Sequence, residues 1–348
     1  MLMLTVLIIL LTTNPGIEDI VEKEVEEVLE ARASRFHNLP GRVSVEIGEE
    51  KLAKVFSLRS IYHAVKHVSV LEIRTGEEGL LDVYNGLKNI EIEDLEGAET
   101  FRVTCQRIGE HAFTSVQVQK HAGQAVVEKY GRKVDLKNFD VNIVCDVIGS
   151  KCYVGVQLTR ESLHKRFERP FNHPAAIKAP LAYGMLRIAG VREGDVLLDP
   201  FCGGGTIPIE AAQVWDGRIT IFGSDINSRF LEGARRNAEA AGVEQHVSFR
   251  IADARRLEDY YDSTIDRMVT NPPYGIRMGR EKNLRETFFR FLNSASKIVK
   301  PDGRIAVISL KATAFRSIVF KTKRFKLVHE RVVETGGLYP HIFVLEKI

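Results

Sequence analysis

From residue 195 onward one pattern recurs five times: a short apolar run, a polar or glycine-rich turn, then a stretch with helical spacing. The runs are 195–198, 219–224, 247–251, 265–270 and 304–310, and a further helix is expected over 175–189. Strands separated by helix-length segments cannot close tight hairpins. They pair in parallel, and a parallel sheet must be covered by helices on both faces. The tail, 325–334 and 339–348, adds two runs joined by Thr335, Gly336 and Gly337, expected as an antiparallel hairpin at the sheet edge.

The front of the chain follows a different rule. Residues 17–29 place Ile17, Ile20, Val21, Val25, Val28 and Leu29 at spacings of three and four with Glu between them, which predicts an amphipathic helix. Residues 42–47 alternate as a strand, and 52–65 read as a second helix. A second α+β stretch follows: a strand at 101–106, a helix at 116–130, and a hairpin of 141–148 with 151–158 across Gly149 and Ser150. The opening MLMLTVLIILL has neither a charged lead nor an A-x-A site and is shorter than a bilayer requires, so a buried strand ending in the TTNPG turn is expected.

Charge separates these regions. Residues 1–100 carry 10 basic and 19 acidic residues, net −9, whereas 101–172 carry 12 and 7, net +5, and 173–348 carry 27 and 20, net +7. A polyanionic partner is therefore steered to the part after residue 100. Cys105, Cys145, Cys152 and Cys202 form no CxxC pair, which excludes a recognisable zinc or disulfide framework and fits a reducing cytoplasm. Residues 159–172, TRESLHKRFERPFN, are read as a basic linker. Two readings of it stand: a solvated connection, or phosphate contacts from Arg160, Lys165, Arg166 and Arg169 with Phe167 and Phe171 packing or stacking.

The chemistry lies at the ends of the parallel strands. Asp199 closes the first, and PFCGGGT leads into a helix at the crevice where open α/β sheets bind ligands. The three glycines admit a ligand close to the backbone, and no Lys follows as in a phosphate loop. Asp225 ends the second strand, where a carboxylate can accept both hydroxyls of a ribose. Asp253 follows the third, as a further polar group of the site or as a helix cap. Together these strand ends outline a site for a nucleoside-containing cofactor.

The fourth strand ends in Asn271-Pro272-Pro273-Tyr274. An exocyclic base amine has its lone pair conjugated into the ring and attacks only once it is drawn toward tetrahedral geometry. The Asn271 oxygen and the Pro272 carbonyl can each accept one N–H, the prolines stiffen the backbone, and Tyr274 offers a face for a base to stack on.

At these residues the sequence resembles class I, Rossmann-like S-adenosylmethionine-dependent methyltransferases of the amino-methylating type, over residues 173–348. The resemblance implies an α/β fold and a cofactor site built from His173, Asp199, Phe201, Cys202, Gly203, Gly204, Gly205, Thr206, Asp225, Ile226, Asp253, Ala254 and Asn271. It implies catalysis by Asn271, Pro272 and Tyr274, with S-adenosyl-L-homocysteine as product and no metal. The segment NHPAAIKAPLAYGML is similar to the one that closes over the cofactor in that family. Residues 1–57 resemble the ferredoxin-like domain that accompanies THUMP domains, and residues 58–158 resemble THUMP, an RNA-binding module. The apolar start is longer than that family's first strand needs.

THUMP joined to an NPPY methyltransferase resembles the tRNA guanine-N2 methyltransferases, most closely the group acting at position six in the acceptor stem. The expected protein is thus a cytoplasmic, monomeric enzyme that methylates the N2 amine of a tRNA guanosine, with no membrane or obligate protein partner. A paired guanine must be unstacked to reach Tyr274, at a cost of a few kcal/mol. Competing readings are guanine-N2 methylation of rRNA, adenine-N6 methylation of nucleic acid, and a non-catalytic RNA-binding protein. The SGGxDS-like loop of thiolation enzymes and the zinc signature of deaminases are missing from the sequence. Mono- versus dimethylation and the RNA-contacting residues of THUMP are not legible.

Overall fold

The fold comes from a computed structural model that describes residues 6–36, 39–262, 264–273 and 281–348, with side chains from Leu284 in the last span. In chain order the elements are β1 Val6–Thr12, α1 Glu18–Leu29, β2 Ala33–Arg35, β3 Arg42–Gly48, α2 Leu52–Val55, β4 His63–Glu72, α3 Gly79–Asn89, β5 Thr100–Thr104, β6 Arg107–Ile108, α4 Ser115–Tyr130, β7 Lys133–Val134, β8 Val141–Ile148 and β9 Lys151–Gln157. There follow α5 Ala179–Ala189, β10 Val196–Asp199, α6 Thr206–Trp215, β11 Thr220–Asp225, α7 Ser228–Ala240, β12 Val247–Ile251, β13 Ile265–Thr270, α8 Glu281–Ile298, β14 Val299–Ser309, α9 Ala312–Thr322, β15 Phe325–Val332 and β16 His341–Lys347. They form two compact units, one of residues 1–13 and 21–163, the other of 14–20 and 164–348.

The first unit is built on a nine-stranded sheet of order β2-β3-β1-β4-β9-β8-β5-β7, with β6 paired to β8. Two cores lie on it. One gathers Ile9 and Leu11 of β1 with Val21, Val25 and Leu29 of α1; the other gathers Ile143, Cys145 and Val147 of β8 with Val118, Ala122 and Val126 of α4. In β1, Ile9 and Leu11 are wholly buried and Leu10 is 7% exposed, so the apolar start is a buried strand over these residues, while Val6 and Ile8 at its beginning are exposed. At roughly 1.5–3 kcal/mol per buried aliphatic side chain, such an inward row suffices to fix its register.

The single helix expected over 52–65 does not form. Only the four residues of α2 are helical, and His63–Glu72 is the strand β4, paired with β1 and β9. The buried Glu24 carboxylate accepts the N–H groups of Arg59 and Ser60 at 2.7 and 2.9 Å, which holds the chain out of helical geometry there. Helix α3 has no counterpart among the elements expected from periodicity.

The second unit carries a seven-stranded sheet of order β12-β11-β10-β13-β14-β16-β15, parallel through β14. Its last two strands are antiparallel and β15 lies at the edge, as expected of the tail. Consecutive residues of the central strands face opposite cores: Leu197, Val269 and Ala306 meet α5 and α6, while Leu198, Met268 and Ile305 meet α8 and α9. Both faces are therefore apolar, as a helix-covered parallel sheet requires. Helix α5 begins at Ala179 rather than 175, because Pro180 lacks an N–H and fits only the first turn. Among the described residues no helix is long and apolar enough to cross a membrane.

Candidate active site

The strand order reverses between β10 and β13, and in open α/β sheets ligands bind beyond the strand ends at such a switch point. A cavity of about 440 Å³ opens there, lined by residues from the ends of β10, β11, β12 and β13 and by His173, Ala175, Ala176 and Ile177 ahead of α5. That volume suits a nucleoside-sized ligand.

Asp199, at the end of β10, is 2% exposed. It accepts the Thr270 hydroxyl at 2.6 Å and the Phe201 N–H at 3.1 Å, so the last residue of β13 is tied to the first motif. Burial nevertheless raises its carboxyl to about 7, the two hydrogen bonds opposing the shift and nearby Asp225 adding to it. The glycine turn follows. Gly203 and Gly205 have φ of 51° and 82°, which a residue with a Cβ adopts only under strain. A Cβ on Gly204 would stand 3.2 Å from the Cβ of His173, so the turn is closely roofed by the residue before Pro174.

Asp225, at the end of β11, accepts the N–H groups of Gly203 at 3.1 Å and Asn227 at 2.9 Å. Burial raises its carboxyl, these bonds partly offsetting it. Asp253 resolves as a cap and a pocket residue at once. It accepts the Arg255 N–H at 2.9 Å, and the Arg255 guanidinium grips it with Nε and Nη2 at 2.9 and 2.6 Å; these bonds lower its carboxyl. His173 stands edge-on to Phe230 at 4.4 Å, and burial lowers its imidazole below the usual 6.5. Asn271 donates Nδ2 to the Ala175 carbonyl at 2.9 Å, which assigns the donor end of its amide.

The structure thus brings together, around one cavity, His173, Asp199, Phe201, Cys202, Gly203, Gly204, Thr206, Asp225, Ile226, Asp253, Ala254, Asn271, Pro272 and Pro273. Gly205 sits behind the wall as the residue before α6. Tyr274 lies outside the described residues. With three carboxylates, a glycine cradle that a Cβ would fill and a mainly apolar lining, the pocket fits a cationic, hydroxyl-bearing nucleoside such as S-adenosylmethionine.

Residues 166–341 match the family described as an RMKL-like methyltransferase domain, and residues 78–157 match the THUMP domain. The tRNA (guanine(6)-N2)-methyltransferase of Thermus thermophilus is 36% identical over 340 residues, 97% of this chain and 98% of the relative. The enzyme of the same name from Archaeoglobus fulgidus is 33% identical over 96% of this chain and 90% of its own length. The chain belongs to this family of tRNA (guanine(6)-N2)-methyltransferases. The crystal structure of TrmN from Thermus thermophilus superposes with a TM-score of 0.86 at 34% identity, covering 98% of this chain and all of that one. The α/β methyltransferase fold expected for the second half is therefore that of a family member.

Two features of the site had no motif to announce them. Phe230 lines the pocket, and Arg255 binds Asp253, whereas Ala175 and Ala176, which also line it, lie in the segment expected to close over the cofactor. The one signal of Phe230 and Arg255 in the sequence is proximity to a strand end. The supposed linker also differs from its sequence reading, because residues 164–172 belong to the second unit. Arg166 pairs with the buried Glu210 at 3.5 Å, and Arg169 donates to the Thr206 hydroxyl at 2.9 Å. These two cations are turned into their own unit and engaged there, whereas Arg160 and Lys165 are exposed. Among the described residues no cluster of three or more His, Cys, Asp or Glu could hold a metal ion.

Proposed function

We propose that this protein methylates the N2 amine of guanosine at position six of tRNA, with S-adenosylmethionine as donor and S-adenosylhomocysteine as product. The observation that carries the reading is the meeting of Asn271 and Pro272 with Asp199, the glycine turn and Asp225 at one cavity. Bound there, the cofactor supplies an electrophilic methyl group on a sulfonium.

The chain's own part is binding and polarisation. Asp225 accepts hydroxyl protons of a ribose, and Asp253 accepts an adenine amine while Arg255 holds its carboxylate. Asn271, whose Nδ2 donates to Ala175, presents its oxygen as an acceptor. With the Pro272 carbonyl it takes the two N–H groups of the target amine, drawing the nitrogen lone pair out of conjugation. No strong base is required, since the methylated amine is acidic enough to lose its proton to water. Residues 58–158, taken as the THUMP domain that residues 1–57 accompany as a ferredoxin-like domain, provide RNA contact through the basic part after residue 100, and exposed Arg160 and Lys165 add phosphate contacts.

The test is transfer of labelled methyl from S-adenosylmethionine to unmodified tRNA, followed by nucleoside mass analysis. N2-methylguanosine is expected, lost when guanosine 6 is replaced by adenosine. Label at another position, on rRNA in preference to tRNA, or as N6-methyladenosine would overturn the assignment.

A further inference from the structure

The segment ahead of His173 is fastened to the second unit by one buried amide. Asn237 on α7 is 1% exposed. Its Oδ1 accepts the Phe171 N–H at 3.0 Å, while its Nδ2 donates to the Phe171 carbonyl and to the Gly204 carbonyl, both at 2.9 Å. One side chain therefore satisfies both backbone groups of Phe171 and binds the glycine turn at the same time. The Phe171 ring rests on α7, where a Cβ added to Gly233 would lie 2.3 Å from it. Nearby, Arg169 ends on Thr206, the first residue of α6, and Arg166 on Glu210 one turn later.

From Phe171 the segment runs on to His173, which covers Gly203 and Gly204, and to Ala175, whose carbonyl receives the Asn271 amide. A continuous strap thus leads from α7, over the glycine turn, to the residue proposed to hold the target amine. We infer that Asn237 is a positioning residue for the cofactor: it clamps the strap to the glycine turn and so sets the separation of the two walls of the pocket. This rests on the reading of that pocket as the S-adenosylmethionine site. Asn237 lines no part of the pocket and acts on the ligand only through Phe171 and Gly204.

The experiment compares the wild type with Asn237→Ala, which removes the clamp, and Gly233→Ala, which displaces the Phe171 ring and leaves the amide in place. For each, S-adenosylhomocysteine binding is measured by calorimetry, tRNA binding by filter retention, and KM for S-adenosylmethionine separately from kcat. Loss of the clamp should raise both the dissociation constant and the KM about tenfold, with kcat and tRNA affinity nearly unchanged. A residue that only stabilises the fold lowers the active fraction instead, reducing kcat at constant KM, and that result in the variants would overturn the inference. If Asn237→Ala does not fold, Asn237→Asp, which keeps the acceptor for the Phe171 N–H and loses both Nδ2 donations, decides between the same two outcomes. Failure of the wild type to bind S-adenosylhomocysteine would refute the proposed site itself, and is read before either variant.

Discussion

Between about pH 8 and pH 6 the affinity for S-adenosylmethionine should fall roughly tenfold, because Asp199 must lose a proton to face a cation. Burial raises the carboxyl to about 7 in the protein alone, although it accepts hydrogen bonds from Thr270 and Phe201. A sulfonium and an ammonium brought into the same cavity favour the ionised form. If the bound state is fully ionised, the observed dissociation constant scales as one plus ten to the power of the pKa minus the pH. The factor is about 1.1 at pH 8 and about 11 at pH 6. Near pH 7 binding should release about half a proton, which calorimetry in buffers of differing ionisation enthalpy measures directly.

Two neighbours could imitate the trend and are separable. His173 titrates below 6.5 because of burial, and the Asp225 carboxyl lies above its usual value for the same reason. Asp199→Asn keeps an acceptor for Thr270 and Phe201 and should abolish the proton release, whereas His173→Gln should preserve it. Thr270→Val removes the donor that lowers Asp199, so the midpoint should move to higher pH by about one unit, in keeping with ~1.5 kcal/mol for a hydrogen bond to a charged group. A dissociation constant that stays flat from pH 6 to pH 8 in the wild type would refute the reasoning. The stability of the free protein carries the opposite sign. A carboxyl raised on folding contributes fully at pH values below its unfolded value near 3.8, and that contribution is lost as the pH rises through about 7.

Asn271→Ala should abolish methyl transfer while tRNA affinity changes by less than about twofold; weakened tRNA binding with normal turnover would contradict its role. Asp225→Ala should raise the cofactor dissociation constant about 10- to 100-fold, for the loss of about 1.5–3 kcal/mol of charged hydrogen bonding, as titration calorimetry can check. Arg160→Gln with Lys165→Gln should weaken tRNA binding and reduce the slope of log affinity against log salt by about 0.9 for each phosphate no longer neutralised. Arg166→Gln with Arg169→Gln should leave that slope unchanged and lower thermal stability instead, since both cations end on α6. Phe291→Ala, which empties a fully buried site packed edge-on against Phe201 at 5.2 Å, should cost about 3–5 kcal/mol in denaturant unfolding.

What could be read in advance follows from how each residue is held. Asp199, Asp225, Asp253 and Asn271 were legible because a parallel sheet delivers the carboxyl ends of its strands to one edge, so spacing in sequence translates into adjacency there. The separation of 72 positions between Asp199 and Asn271 vanishes once β10 and β13 pair side by side. The part of the strap before His173 was not legible, since nothing local distinguishes TRESLHKRFERPFN from a solvated connection. Its order is imposed by partners at Gly204, Thr206, Glu210 and Asn237, all later in the chain and none marked as a partner by composition. Strand β4 escaped for a related reason, as His63, Lys66, His67 and Ser69 break up its apolar alternation while Leu52, Val55, Leu58, Ile61 and Val65 fall at intervals of three and four. In these two misses the deciding contact was made by a residue distant in sequence that satisfies backbone groups, Glu24 for the chain before β4 and Asn237 for the strap. A buried polar side chain that binds a neighbouring segment's backbone is thus the feature periodicity overlooks. In this protein one such residue sits immediately behind the glycine turn, where a small displacement would be felt by the cofactor before it was felt by the fold.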